Sequence, residues 1–152
     1  MAINWNRSQP APLALWRLVS ANFPQARNLG IFNARNIAGT NRPSLHAEGR
    51  ALDIGLRVSD GTEEMIGDEL FRAFVDLGSS IGLEEVIWDR QIWSSRRSVV
   101  HPYTGANPHT DHVHVGFTRA QSQQIGFPVL SVRIASIRTG LEDLNRAFQN
   151  YA

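Results

Sequence analysis

Two short stretches of this chain alternate between apolar and other residues, and they constrain the fold more than any other feature of the sequence. In residues 51–58 every second side chain is a large apolar one, and Asp53 lies on the opposite side. In residues 112–118, valine and phenylalanine alternate with His112, His114 and a glycine. A period of two is that of a β-strand with one face buried. The sequence therefore predicts a sheet with one apolar face and one face that carries histidine and aspartate.

Two segments have helical periodicity instead. Apolar residues recur at intervals of three and four over 12–23 and again over 62–77. Asp60 or Thr62 can cap the second helix, and Gly78 is expected to end it. Both segments are therefore predicted to be helices with one apolar side.

The other segments have weaker patterns. Residues 28–44 are predicted to form a brief strand near Ile31 followed by a long loop, and residues 86–93 to form one strand. Residues 96–109 have the composition of a loop. In residues 120–152 we expect a strand or short helix near 129–137 and then a terminal helix.

This order of elements predicts an α+β fold: a small antiparallel sheet that carries Asp53, His112 and His114 on its polar face, with helices packed on one side. The chain of 152 residues is the right size for a single domain, residues 1–152. Within it, residues 126–152 are either an ordinary closing element or a C-terminal accessory or docking segment.

Composition excludes several kinds of chemistry. All fifteen basic side chains other than histidine are arginine, and there is no lysine or cysteine. Schiff-base chemistry, a phosphate-loop lysine, a thiol nucleophile and cysteine-held metals are therefore excluded. Any metal must be bound by histidine, aspartate or glutamate. The net charge of +1 argues against nucleic acid as a partner.

The sequence has no secretory signal in its first residues and no run of eighteen apolar residues. We therefore expect the chain to be made in the cytoplasm and not to insert into a membrane.

Four side chains of metal-ligand type lie on the polar faces of the two alternating strands or just before them. His112 and His114 project from the same face of one strand. Asp53 lies on the polar side of the other, and His46 precedes it by seven positions, with Gly49 between them able to turn the chain. A catalytic zinc site uses three protein ligands and one open position. These four residues supply three ligands and one additional histidine.

The same residues carry a resemblance to a known family. Residues 44–53 read S-x-H-x-x-G-x-A-x-D, and residues 111–115 read D-H-x-H-V. These patterns resemble the two signatures of the LAS-type zinc peptidases, a group that includes D-alanyl-D-alanine peptidases, penicillin-insensitive murein endopeptidases and the hedgehog proteins. The resemblance implies one Zn²⁺ ion bound by His46, Asp53 and His114.

The resemblance also makes His112 the catalytic histidine beside the metal. The D-alanyl-D-alanine carboxypeptidases have a glutamate three positions before the last ligand, where this chain has Asp111. We expect His112 to be the general base, because a regular strand turns Asp111 away from the metal and leaves it to orient an imidazole. Asp111 as the base is the alternative.

As a substrate, the resemblance implies a peptidoglycan stem peptide or cross-link, cleaved by a carboxypeptidase or an endopeptidase. Arg35 and Arg42 are candidates to bind substrate carboxylates, although a loop arginine is often only solvated. Ser44 either binds substrate or caps its local turn. Without a signal peptide, we expect such an enzyme to reach the cell wall or periplasm through a phage lysis system or delivery machinery.

Two functions other than a peptidase are also compatible with the sequence. A zinc-braced binding module would use the metal only to hold the fold and would recognise a peptide or protein. A zinc-dependent nuclease is disfavoured by the charge and by the lack of a phosphate-binding cluster.

Overall fold

The protein has an α+β fold, as the sequence predicted. In the computed structural model, which describes residues 2–151, the chain forms one six-stranded antiparallel sheet and three α-helices. The elements are α1 (Pro10–Asn22), β1 (Arg27–Gly30), the 3-10 helix η1 (Leu45–Glu48), β2 (Ala51–Gly55), α2 (Gly61–Ile81), β3 (Leu83–Trp88), β4 (Gln91–Ser94), β5 (His101–Pro102), β6 (His112–Phe117) and α3 (Pro128–Tyr151). The strand order is β1-β2-β6-β3-β4-β5.

The two faces of the sheet have different roles. Leu52 and Ile54 of β2 and Val113 and Val115 of β6 are fully buried on the face that α1 and α2 cover. The alternate residues Asp53, His112 and His114 belong to the opposite face, and η1 packs against β2 there. The apolar face of the sheet therefore packs against the helices, and the opposite face carries the polar side chains. Within residues 2–151, no helix is both long and apolar enough to cross a membrane.

Helix α2 is longer than predicted. Asp60 caps it by accepting hydrogen bonds from the amides of Thr62 and Glu63. The helix continues past Gly78 to Ile81, and Gly82 caps it with a left-handed φ of 76°. Gly78 has a packing role instead, because a Cβ there would lie 2.6 Å from the ring of the buried Trp93.

The predicted strand over 86–93 is wrong in one respect, since it is a hairpin of β3 and β4. Asp89 and Arg90 form the turn, and both have left-handed backbones, with φ of 37° and 62°. Hairpin turns of this kind usually carry asparagine and glycine, so the sequence lacked the expected signal. Tertiary contacts hold the turn, since the Asp89 and Arg90 amides donate to the carbonyls of His109 and Pro108.

Smaller differences concern strand ends and the C-terminal segment. Strand β2 ends at Gly55 rather than residue 58, and β1 ends at Gly30, just before the predicted position. Residues 128–151 form one continuous helix instead of two elements. Its first half contributes Leu130 and Ile134 to the core, whereas residues 142–151 are exposed.

A buried carboxylate ties the start of α2 to the sheet and makes stability depend on pH. Glu63 pairs with Arg27 and Arg57, with N–O distances of 2.9 Å to each. The hydrogen bonds from Arg27 and then Arg57 hold the pKa of Glu63 well below its usual value of 4.5. A carboxyl group with a lowered folded-state pKa stabilises the fold above its unfolded pKa, and this contribution is lost as pH falls toward the folded value.

We expect the thermal stability lost on Glu63→Gln to depend on pH in the same way. The difference in Tm from the wild type should be constant above about pH 5.5 and should shrink steadily below about pH 4.5. Thermal unfolding followed by circular dichroism from pH 7 to pH 3 measures it. Glu64→Gln, at the neighbouring position, is the control and should change Tm little, because Glu64 forms no ion pair with an arginine among residues 2–151, whereas Glu63 forms two.

Candidate metal centre

His46 is positioned by the short helix η1. The Ser44 hydroxyl caps this helix by accepting a hydrogen bond of 3.1 Å from the His46 amide. Gly49 ends it with a left-handed φ of 62°, and a Cβ there would lie 1.8 Å from the carbonyl oxygen of Arg7. Ser44 therefore has the second of its two predicted roles, as a cap, and Gly49 is the turn that the sequence indicated.

The other two donors are neighbours across the sheet. Asp53 of β2 and His114 of β6 are direct cross-strand partners. Two residues along β6, Gly116 leaves room for η1, since a Cβ there would lie 2.2 Å from the Cδ1 atom of Leu45. Leu45 can therefore lie close to the sheet, which brings the adjacent His46 over Asp53.

Three donor atoms meet at one point. Asp53 Oδ1 lies 2.9 Å from His114 Nδ1 and 3.1 Å from His46 Nε2, and the two nitrogens are 3.2 Å apart. Ligands bound tetrahedrally at roughly 2.0–2.1 Å would be separated by about 3.3 Å. The spacing of His46, Asp53 and His114 is therefore close to that of three corners of a tetrahedral metal site, and this group can hold a metal ion.

The hydrogen-bond acceptors on the far sides of both imidazoles determine which ring nitrogens carry hydrogen. His46 Nδ1 is 2.9 Å from the carbonyl oxygen of Ile31, and His114 Nε2 is 3.3 Å from Glu85 Oε1. Both partners are acceptors, so these nitrogens carry hydrogen and the opposite nitrogens of the neutral rings present lone pairs. Two lone pairs and a carboxylate oxygen then face each other. Such an arrangement requires a cation, either a metal ion or added protons.

The electrostatics of these buried groups favour opposite charges on Asp53 and His114. Burial alone would raise the pKa of Asp53, but hydrogen bonds from His114 and His46 outweigh it and hold the pKa well below its usual range. Burial opposes a charge on His114, yet Asp53 and Glu85 together raise its pKa. A metal ion would compete with the proton on His114, because a ligand histidine must be neutral to bind.

His112 and Asp111 lie beside the three donors in distinct positions. His112 is buried, with Nε2 3.7 Å from Asp53 Oδ1 and Nδ1 2.7 Å from Asp111 Oδ1. Asp111 is mostly exposed, with 68% of its side chain accessible. The ring of His112 therefore turns one nitrogen toward the donor group, while Asp111 contacts the other nitrogen from outside.

His109 also lies at the site, although the sequence did not indicate it as a ligand or a catalytic residue. It is buried, and its ring centre lies 4.6 Å from that of His112 and 5.8 Å from that of His114. Its backbone has a left-handed φ of 53°, and its Nδ1 lies 2.7 Å from the carbonyl oxygen of Asn107. Its position three residues before His112 is the sequence feature that could have indicated that it belongs to the site. Burial, together with the neighbouring histidines, lowers the pKa of His109 to about 4.

The two predicted substrate-binding arginines are exposed. Arg35 lies in the loop before η1, where its carbonyl oxygen accepts a hydrogen bond from the Ser44 amide. Arg42 borders a cavity of about 310 Å³ that also reaches Glu85. The structure therefore brings Arg42 to a cavity next to the donor group and places Arg35 in the segment that contacts His46 through Ile31 and Asn33.

A comparison with models of protein families assigns the chain to one of them. A family model described as VldE, C-terminal domain, matches residues 4–114, more than half of the chain. The chain belongs to this family. The part matched to the VldE C-terminal domain includes His46, Asp53, His112 and His114, and it ends before α3. No curated protein and no solved structure matches the chain.

The contact between Glu85 and His114 leads to a prediction about metal affinity. We expect Glu85→Gln to weaken binding of a metal ion by about tenfold to a hundredfold, because the acceptor that orients a ligand imidazole loses its charge. Competition with a chromogenic chelator measures the affinity. Glu84→Gln is the matched control, since Glu84 contacts Arg50 rather than a donor residue and its substitution should leave metal affinity unchanged.

Proposed function

We propose that this protein is a zinc metallopeptidase that hydrolyses peptide bonds in peptidoglycan stem peptides or cross-links. The observation that carries the proposal is the set of two imidazole lone pairs and one carboxylate oxygen within 3.2 Å of one another. The resemblance of residues 44–53 and 111–115 to the signatures of LAS-type zinc peptidases supplies the substrate class.

The donor chemistry supports zinc. Two imidazoles and one carboxylate at tetrahedral spacing are a typical three-ligand set for catalytic zinc, which keeps a further position for water or substrate. His112, which lies beside the donors with its own partner, is free to serve in the reaction.

His112 acts as the proton acceptor in this proposal. A bound zinc ion would acidify a water molecule and polarise the substrate carbonyl. His112 Nε2 faces the donor group and takes the proton from the attacking water, while Asp111 accepts the hydrogen on Nδ1 and so places the lone pair of the neutral ring on Nε2. The protonated ring then donates to the departing amine. Asp111, with its side chain largely in solvent, positions the imidazole.

The experiment is to incubate zinc-loaded protein with purified peptidoglycan and analyse the products by mass spectrometry. New amine termini are the expected result. Release of free D-alanine would indicate a carboxypeptidase, and separation of cross-linked stems an endopeptidase. If a folded, zinc-replete sample leaves every peptide intact, the peptidase proposal is wrong and a zinc-braced binding module is favoured.

A further inference from the structure

The face of the sheet that carries the donor group extends well beyond it. Direct cross-strand partners form one row from Asp53 and His114 through Ile87 and Ile92 to His101. Neighbouring strands are about 4.8 Å apart, so His101 lies roughly 14 Å across the sheet from His114. We call this row the cross-strand row. It runs from the donor group to the far edge of the sheet.

A cationic pocket lies along the second half of the cross-strand row. It has a volume of about 310 Å³ and is bordered by Arg42, Arg96, Arg97 and His101, with Ile92 in its wall. Arg96 and Arg97 lie one residue beyond the end of β4, in a turn closed by hydrogen bonds from the Arg97 and Ser98 amides to the Ser94 carbonyl. Their backbone is therefore held at the end of a strand.

These arginines differ from most others in the chain. Among residues 2–151, nine arginines lie within 4.0 Å of a carboxylate oxygen. The arginines of that part of the chain that have no such partner are Arg7, Arg17, Arg35, Arg42, Arg96 and Arg97. Three of these six, Arg42, Arg96 and Arg97, border the cationic pocket.

The two carboxylates in the pocket wall have other partners. Glu84 is 2.5 Å from Arg50 Nη1, and Glu85 is 3.3 Å from His114 Nε2. Neither forms an ion pair with Arg42, Arg96 or Arg97 in the described part of the chain. The three guanidinium groups therefore keep their hydrogen-bonding capacity for a ligand.

We propose that the pocket bordered by Arg42, Arg96, Arg97 and His101 binds a free carboxylate of the peptide substrate. A guanidinium group matches a carboxylate because its planar fork makes two parallel charge-assisted hydrogen bonds. The pocket lies one to three strand spacings from His114, and an extended peptide advances about 3.3 Å per residue. The bound carboxylate therefore belongs to a residue roughly two to four positions from the cleaved bond. This inference rests on the proposed peptidase function.

The test compares two substrates and three proteins. The substrates are a purified disaccharide-tetrapeptide muropeptide that contains diaminopimelate and the same compound with its carboxylates amidated. The proteins are the zinc-loaded wild type, R96Q/R97Q and the control R17Q, which changes an exposed, unpaired arginine on α1. Calorimetry gives the affinity for each substrate, and cleavage of cross-linked peptidoglycan gives kcat and KM.

We expect the wild type and R17Q to bind the free-carboxylate muropeptide at least about tenfold more tightly than the amidated form, a typical effect of charged hydrogen bonds. R96Q/R97Q should lose this preference and show a raised KM with little change in kcat. Equal binding of both forms by the wild type, or an unchanged preference in R96Q/R97Q, would overturn the inference while leaving the peptidase proposal intact. If nothing is cleaved, the peptidase proposal fails, and the calorimetry still decides whether the pocket selects carboxylates.

Discussion

Replacing His112 by alanine is expected to lower kcat by at least about a hundredfold while one equivalent of zinc stays bound. The reason is that His112 contributes a proton acceptor beside the donor group, a role typically worth about 10²–10⁴ in rate, but is not one of the three converging donors. His114→Ala should lose both metal and activity, because it removes a ligand. Metal content by mass spectrometry and peptidoglycan cleavage measure the two effects separately.

Asp111→Asn refines this comparison. It keeps the shape of the side chain that contacts His112 Nδ1 but removes its charge. If Asp111 only positions the imidazole, the variant should retain more activity than His112→Ala. A loss of about a hundredfold or more in Asp111→Asn, together with nearly full activity in His112→Ala, would instead identify Asp111 as the base, the alternative that the sequence left open.

Gly49→Ala is expected to destabilise the fold by about 3 kcal/mol or more and to weaken metal binding in whatever fraction folds. The left-handed backbone at this position, with φ of 62°, already disfavours a side chain. In addition, a Cβ would lie 1.8 Å from the Arg7 carbonyl oxygen, which is backbone and cannot rotate away. The segment that would move is η1, which carries His46.

Gly39→Ala is the matched control for this prediction. Gly39 has a similar φ of 76°, but nothing lies within 4 Å of its added Cβ. In this variant the free energy of unfolding should therefore fall by only about 1 kcal/mol, the cost of a side chain in a left-handed backbone conformation. Chemical denaturation of both variants separates the two causes. Similar losses in both would show that the close approach of residue 7 to Gly49 does not matter to stability.

Much of the candidate site followed from local patterns. Alternation in residues 112–118 requires His112 and His114 to share a face, because a strand has a period of two. The same rule placed Asp53 on the polar face of its strand. The antiparallel sheet with helices on one side is likewise a direct consequence of one apolar face per strand.

Other features could not be read locally because distant segments decide them. Asp89 and Arg90 turn the chain without a glycine since residues 108 and 109 accept their amide hydrogens. Gly78 lies inside a helix that it was expected to end, and a glycine is required there because Trp93 occupies the space that a side chain would need. His109 joins the site through the same loop that holds the β3–β4 turn.

The sequence by itself determined which side chains face away from the core, since strand periodicity depends only on neighbouring residues. Only the tertiary structure decided that His46 meets Asp53 and His114, because this requires η1 to lie over Gly116. It also decided the strand register that aligns Asp53 with His114 and extends the row to His101. Register and close packing depend on contacts between segments far apart in the chain, and such contacts leave no periodic signal in either segment alone.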